Sequence, residues 1–160
     1  MLDNCNSKSN FIAGAALALA VLAPIPAAAD CFDDAALHHN VNPWILRAIA
    51  AQESRFDPDA KHPINSDGSL DRGMMGINSV HLPELARYGI SAGDLLDRCK
   101  SVYLAGWHLR KMVDKYGNNW QAVGGYNSKT PSKRDSYAAK IRRIIDFWIE
   151  RGIIPQQANH

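Results

Sequence analysis

The sequence predicts a small all-α domain. Apolar residues recur at helical spacing in several segments, those segments are bounded by capping residues, and no alternating strand pattern occurs outside one polar stretch. The chain has 160 residues, of which 46% are hydrophobic and 21% charged, and its formal net charge is +2. This composition is typical of one soluble domain and excludes wholesale disorder. The nearly balanced charge also argues against a nucleic-acid partner.

Residues 31–73 are predicted to hold two helices and a long loop. A short helix over 31–39 ends before Asn42 and Pro43. Asn42 is then the N-cap, and Pro43 the first residue, of a helix over 43–54. The stretch 56–73 is rich in Pro, Gly, Asp and Asn, which predicts a loop. A loop of this length inside a compact domain usually has a function.

The second half is predicted to hold four more helices. A short helix near 79–88 stops at Gly89, a long one covers 92–116, a brief one covers 119–126, and the last covers 132–151. The two long helices carry apolar stripes at helical spacing, which predicts that they face a common core. The stripe residues are Val102, Ala105, Gly106, Leu109 and Val113 on one helix, and Tyr137, Ile141, Ile144, Ile145 and Trp148 on the other.

The first 29 residues are predicted to be a secretory signal peptide. The run 11–23 is apolar and uncharged, but it is shorter than the about 20 residues that span a bilayer. A lysine precedes it and an Ala-x-Ala sequence follows, so cleavage is expected after Ala29. A retained membrane anchor is the alternative. We therefore expect a periplasmic or secreted domain over 30–152, followed by a tail over 153–160.

Export would leave two cysteines, Cys31 and Cys99, because Cys5 lies in the predicted signal peptide. Two cysteines in an oxidising compartment favour one disulfide, which would close a loop of about 70 residues and contribute roughly 4 kcal/mol. A metal pair or a catalytic thiol is the alternative, but the chain has no CxxC pair.

We expect no metal ion and no cofactor. The six histidines include no HExxH motif and no pair at i, i+4. Residues 65–71 resemble a calcium loop in composition, yet Leu70 and Gly76 occupy the positions at which an EF-hand requires Gly and Glu. Four tryptophans lie within predicted helices and are interpreted as core residues: Trp44, Trp107, Trp120 and Trp148. The alternative is that one of them stacks on a sugar ring at the edge of a cleft.

Glu53 is the strongest candidate for catalysis. At 100° per residue, its side chain projects in the same direction as Ile45, Ile49 and Leu46, the apolar face of its helix. Burial and the negative end of the helix dipole both disfavour the charged carboxylate, so the pKa of Glu53 should be raised. A carboxyl group that stays protonated near neutral pH suits a general acid. The alternative is a glutamate at the rim of the core that reaches water or an arginine.

Three ordered sequence blocks resemble the lysozyme-like lytic transglycosylases that carry the soluble-transglycosylase catalytic domain, and above all their small exported members that accompany secretion systems and pili. Residues 45–56 resemble the helix that ends in the family's catalytic Glu-Ser. Residues 65–79 resemble the segment that contains Gly-Leu-Met-Gln-Ile-Asn-Ser, and residues 122–128 resemble Ala-x-x-x-Tyr-Asn. The positions of Cys31 and Cys99 also resemble the disulfide of the secretion-associated members.

The resemblance implies a helical fold with a cleft between two lobes, and peptidoglycan glycan strands as substrate. It implies cleavage of the β-1,4 bond between N-acetylmuramic acid and N-acetylglucosamine with formation of a 1,6-anhydro end. Components of a secretion or pilus machine are implied partners. Glu53 would be catalytic, and five residues would line the sugar subsites: Ser66, Met75, Asn78, Tyr126 and Asn127. Helix-terminal capping is the alternative role for Tyr126 and Asn127.

One departure from the family pattern is Gly76, which stands where the family usually has Gln. Loss of that side chain removes a hydrogen bond to substrate worth about 1–3 kcal/mol. We therefore expect Gly76→Gln to raise activity. A catalytically weak wall-binding protein and a muramidase on the same fold are the alternative functions.

Overall fold

The computed structural model describes residues 30–154, so the predicted signal peptide and the last six residues of the predicted tail lie outside it. The fold is predominantly α, as predicted. Within the described residues, two 3-10 turns, Ser79–His81 and Ala86–Tyr88, flank one of the α-helices. The helices are α1 (Cys31–His39), α2 (Pro43–Ser54), α3 (Leu82–Leu85), α4 (Arg98–Tyr116), α5 (Trp120–Gly125) and α6 (Pro131–Glu150).

Local capping explains where the helices begin and why one predicted boundary is wrong. Asn42 Oδ1 accepts a hydrogen bond from the backbone N–H of Trp44 at 2.8 Å, which starts α2 as predicted. The sequence predicts that the long helix α4 starts at residue 92, but it begins at Arg98. Asp97 caps it, and the preceding residues form a turn in which Asp94 accepts hydrogen bonds from Ser91. Asp94 and Asp97 therefore hold the residues before Arg98 in a turn, and the helix begins six residues later than predicted.

A small antiparallel sheet has its first two strands inside the stretch 56–73 that the sequence predicts as loop and its third strand just after it. Its strands are β1 (Lys61–Ile64), β2 (Leu70–Arg72) and β3 (Ile77–Asn78), paired in that order. The Asn65 N–H donates to the Ser69 carbonyl at 2.8 Å and closes the hairpin turn between β1 and β2. The sheet forms one wall of the cleft described below.

The core lies between α2, α4 and α6. Helix α4 packs against α1 and α5, and α6 packs against α5 and α2. A disulfide joins Cys31 to Cys99 across a Cα–Cα distance of 5.3 Å, as predicted, and ties α1 to the first turn of α4. All four tryptophans pack, partly buried, against the core. The largest fully buried side chains include Leu46, Ile49, Met74, Met75, Leu95, Val102 and Ile141.

No helix between residues 30 and 154 has both the length and the apolar character needed to cross a bilayer.

Candidate active site

A cleft of about 320 Å³ separates the sheet from the middle of α4, the C-terminal end of α5 and the first turn of α6, and Glu53 lies on its floor. The sheet wall carries amide, hydroxyl and carboxylate groups, whereas the helical wall carries imidazole, phenol, amide and ammonium groups. The sheet wall consists of Asn65, Ser66, Asp67, Ser69, Asp71 and Asn78, and the helical wall of His81, His108, Tyr126, Asn127, Ser128 and Lys133. Most of these groups can bond to hydroxyl-rich ligands.

Glu53 reaches this floor from the last turn of α2, because its position on the helix points it inward. The next residue, Ser54, donates a hydrogen bond to the Met74 carbonyl at 2.8 Å and holds the sheet against the helix end. Arg55 and Phe56 then adopt left-handed backbone conformations, with φ of 57° and 67°. These two residues turn the chain sharply out of α2 and toward the sheet wall.

The environment of Glu53 favours its protonated form. Burial raises the pKa of the carboxyl group, and the negative charge of Asp71 raises it further. The hydrogen bond from Tyr137 lowers the same pKa, but burial is the larger effect. The predicted direction of the pKa shift is thus the one that the structure supports.

Tyr137 of α6 is the direct partner of Glu53. Its hydroxyl donates to Glu53 Oε1 at 2.5 Å, and its ring is buried beside that of Tyr126. Burial also raises the pKa of Tyr137 well above its ordinary value, so the phenol remains a donor at physiological pH. Tyr137 therefore fixes one carboxyl oxygen of Glu53 and leaves the other to face the cleft.

Gly76 lies directly against the carboxyl group. A Cβ atom placed on Gly76 would lie 3.1 Å from Glu53 Cδ and 2.8 Å from Glu53 Oε2, and the second distance is shorter than real Cβ atoms show. The φ of Gly76 is +59°, a conformation that favours glycine. The structure therefore argues against the gain expected from Gly76→Gln, because the first carbon of that side chain would already collide with Glu53.

Asp71 is a second carboxylate in the cleft. Asn78 Nδ2 donates to Asp71 Oδ1 at 2.8 Å and to Ser69 Oγ at 3.0 Å, and Asn65 Nδ2 donates to Asp71 Oδ2 at 3.4 Å. These bonds hold the Asp71 carboxylate on the sheet wall, near enough to Glu53 to raise its pKa. Glu53 is thus accompanied by another acid, which the sequence interpretation does not include.

Tyr126 and His108 join the helical wall to the floor. The Tyr126 hydroxyl donates to the Met75 carbonyl at 2.8 Å, and the Tyr126 carbonyl bonds to His108 Nε2 at 3.0 Å. Burial lowers the pKa of His108 to about 4, so its ring is neutral near pH 7. The ring centroids of His81 and His108 are 4.5 Å apart, so two imidazole groups lie on this wall.

The structure brings five of the six predicted catalytic and subsite residues to the cleft: Glu53, Ser66, Asn78, Tyr126 and Asn127. The resemblance implies that Met75 lines a sugar subsite, but its side chain does not line the cleft. Its side chain is fully buried in the core. Only the Met75 carbonyl serves the site, through its hydrogen bond from Tyr126.

Two residues that matter most for Glu53 are absent from the predicted site. The sequence pattern assigns Tyr137 to the apolar stripe of α6. A buried tyrosine hydroxyl usually has a hydrogen-bond partner, and this rule is the signal that could have pointed to a polar contact there. Asp71 falls in the predicted polar loop, because no pattern indicates that this loop folds as a sheet. In residues 30–154 no group of three His, Cys, Asp or Glu side chains is arranged to hold a metal ion.

Comparisons with known proteins agree with the geometry. Residues 30–144 match the family described as "Transglycosylase SLT domain". The "X polypeptide" of Escherichia coli is 37% identical over 144 residues, which cover 84% of this chain and 83% of that protein. "Invasion protein IagB" of Salmonella typhimurium strain SL1344 is 44% identical over 118 residues, 71% of this chain and 73% of that protein. "Protein IpgF" of Shigella flexneri is 38% identical over 118 residues, 73% and 77% of the two chains.

Proposed function

The chain belongs to the transglycosylase SLT domain family, and we propose that it cleaves the β-1,4 bond between N-acetylmuramic acid and N-acetylglucosamine in peptidoglycan without adding water. The observation that carries this proposal is the placement of Glu53. It lies half-buried on the floor of a polar cleft, with its pKa raised by burial and one oxygen held by Tyr137. A carboxyl group in this state can donate a proton to a glycosidic oxygen.

Glu53 acts twice in the proposed reaction. It first donates its proton to the bridging oxygen, and the bond from that oxygen to C1 of the muramic sugar breaks with help from the 2-acetamido group. The Glu53 carboxylate then takes the proton of the C6 hydroxyl, whose oxygen bonds to C1 and closes a 1,6-anhydro ring. One carboxyl group is sufficient because the proton given in the first step returns in the second.

The remaining cleft residues are proposed to bind the sugars. The side chains of Ser66 and Asn127 lie on opposite walls, and neither hydrogen-bonds to another of residues 30–154, so both are free to bond to sugar hydroxyl or acetamido groups. Asn78 and Tyr126 use their polar atoms within the protein. We therefore assign them to shaping the two walls, with direct sugar contacts secondary.

A muramidase that lets water attack is the second candidate, and Asp71 is the observation that favours it. Most glycosidases use two carboxyl groups, one as acid and the other as base or nucleophile. Asp71 is held on the sheet wall by Asn78 and acts electrostatically on Glu53. The raised pKa of Glu53 is compatible with either reaction, so the products must decide between them.

Mass spectrometry of fragments released from purified peptidoglycan tests the proposal. We expect fragments with 1,6-anhydromuramic ends from the natural chain and none from Glu53→Gln, with unchanged circular dichroism. Reducing muramic ends would support the muramidase instead. Intact peptidoglycan that nevertheless binds the protein would replace both with a wall-binding role, and persistent cleavage by Glu53→Gln would remove Glu53 as the catalytic acid.

The biological role that we propose is local opening of the wall for a secretion or pilus apparatus after export through the cell membrane. It is supported by the resemblance to the specialised exported members, and one relative is named an invasion protein. The intact mass of the protein recovered from the periplasm tests the export step. We expect a mature chain that begins at Asp30, and a full-length chain held in the membrane would indicate an anchor.

A further inference from the structure

A second groove leaves the cleft at Glu53 and follows one face of α6. It has a volume of about 370 Å³, and Glu53 and Asn127 also line the main cleft, so the two spaces are continuous at the catalytic residue. The α6 face supplies two ammonium groups and two hydroxyl groups to this groove. These belong to Lys133, Lys140, Ser132 and Ser136.

The charges on the two sides of Glu53 are opposite. The sheet wall carries the carboxylates of Asp67 and Asp71, whereas the α6 side carries Lys133 and Lys140. Both lysines are exposed, and neither forms a salt bridge within residues 30–154, although six other lysine and arginine side chains there do. An anionic group attached to a ligand in the cleft would therefore be repelled by the sheet and attracted to α6.

The proposed substrate carries such a group. The muramic sugar bears a lactyl ether on O3, and an acidic peptide is joined to that lactyl group. The peptide must leave the cleft within one sugar of the bond that Glu53 cleaves, and the α6 groove opens at that point. We propose that Lys133 and Lys140 bind carboxylates of this peptide and make peptide-bearing strands the preferred substrate, an inference that rests on the proposed function.

The spacing of the two lysines suits an extended peptide. Seven residues of α-helix, two turns, separate them, which corresponds to about 10 Å along the α6 axis. An extended peptide covers that distance in about three residues. Two carboxylates within one short stem can thus meet both ammonium groups, while Ser136 offers a hydroxyl group between them and Ser132 offers one beside Lys133.

Three forms of the same glycan strand test the proposal. One carries native peptides, the second carries peptides whose carboxylates have been amidated chemically, and the third has been stripped of peptides by an amidase. The enzyme forms are the natural chain, the double variant Lys133→Gln with Lys140→Gln, and the control Lys115→Gln. Lys115 is an exposed lysine of α4 that does not line either groove, and its removal changes the net charge in the same direction.

We expect the natural chain to cleave native strands with a kcat/KM about fivefold above that on amidated strands, which is the effect of two exposed ion pairs. The double variant should lose this preference, and Lys115→Gln should retain it. Equal cleavage of native and amidated strands by the natural chain would overturn the inference and leave the proposed function intact. So would an equal loss on both strands in the double variant, since that result would mean that the lysines act on Glu53 or on the sugar. Absence of cleavage on all three strands would instead count against the proposed function itself.

Discussion

Adding a single methyl group at Gly76 should displace the Glu53 carboxyl group, which we propose to be catalytic. The Cβ of Gly76→Ala would lie 2.8 Å from Glu53 Oε2. Ordinary contact begins near 3.4 Å, so the carboxyl group must move by about 0.6 Å. Misplacement of a reacting group by 1 Å can cost about 100-fold in rate. We expect kcat/KM on purified peptidoglycan strands to fall by at least about tenfold.

The same substitution also has a cost that is unrelated to Glu53. The φ of Gly76 is +59°, and an alanine in the left-handed region is destabilised by about 1–2 kcal/mol. Gly89→Ala is the matched control, because Gly89 has φ of +73° and no atom lies within 4 Å of the position that its new methyl group would take. Urea unfolding should therefore show similar losses in the two variants, and only Gly76→Ala should lose activity. Full activity in Gly76→Ala, with the stability loss of Gly89→Ala, would refute the contact with Glu53 as the reason for glycine at this position.

Three further outcomes follow from the titrating groups. Burial raises the pKa of Glu53, so its contribution to stability is fully present below the unfolded value of about 4.3 and is lost as the pH rises through the folded value. In calorimetry, Glu53→Gln should therefore have a higher Tm than the natural chain at pH 7 and the same Tm at pH 4. A lower Tm of the variant at pH 7 would contradict a pKa of Glu53 that is raised by burial. Tyr137→Phe removes the hydrogen bond that lowers the pKa of Glu53, so the alkaline limb of the kcat–pH profile should move to higher pH, and an unmoved limb would exclude Tyr137 as its partner. Burial lowers the pKa of His108 to about 4, so the free energy of unfolding should fall by roughly 3 kcal/mol as the pH falls from about 6.5 toward 4. Urea unfolding at pH 7 and pH 4.5 should show a smaller loss in His108→Gln. An unchanged loss in that variant would mean that another group causes it.

Helices and the direction of Glu53 could be predicted because both depend on neighbours in sequence. Asn42 and Pro43 set the start of α2 through bonds that span two or three residues. The inward direction of Glu53 follows from the 3.6-residue period of the same helix. The resemblance then located the cleft residues from three short blocks.

The sheet and the partners of Glu53 depend on contacts that sequence patterns do not reveal. The strands are only two to four residues long and pair through backbone hydrogen bonds, so no alternation of side chains marks them. Tyr137 meets Glu53 across 84 residues of chain. The side chain of Met75 is buried in the core instead of lining a sugar subsite, which residue type alone does not show.

Direct titration of the Glu53 carboxyl group tests whether its environment keeps it protonated at higher pH than an ordinary glutamate. Carbon-13 NMR of the protein labelled at glutamate carboxyl carbons, with Glu53 assigned by its absence in Glu53→Gln, gives its pKa in the folded state. Glu84 provides an internal reference, because its hydrogen bond with Lys111 lowers the pKa of that half-exposed carboxyl group. We predict that Glu53 titrates above the ordinary glutamate value of about 4.3 and Glu84 below it. A Glu53 midpoint at or below the ordinary value would contradict a protonated carboxyl group as the starting point of the reaction.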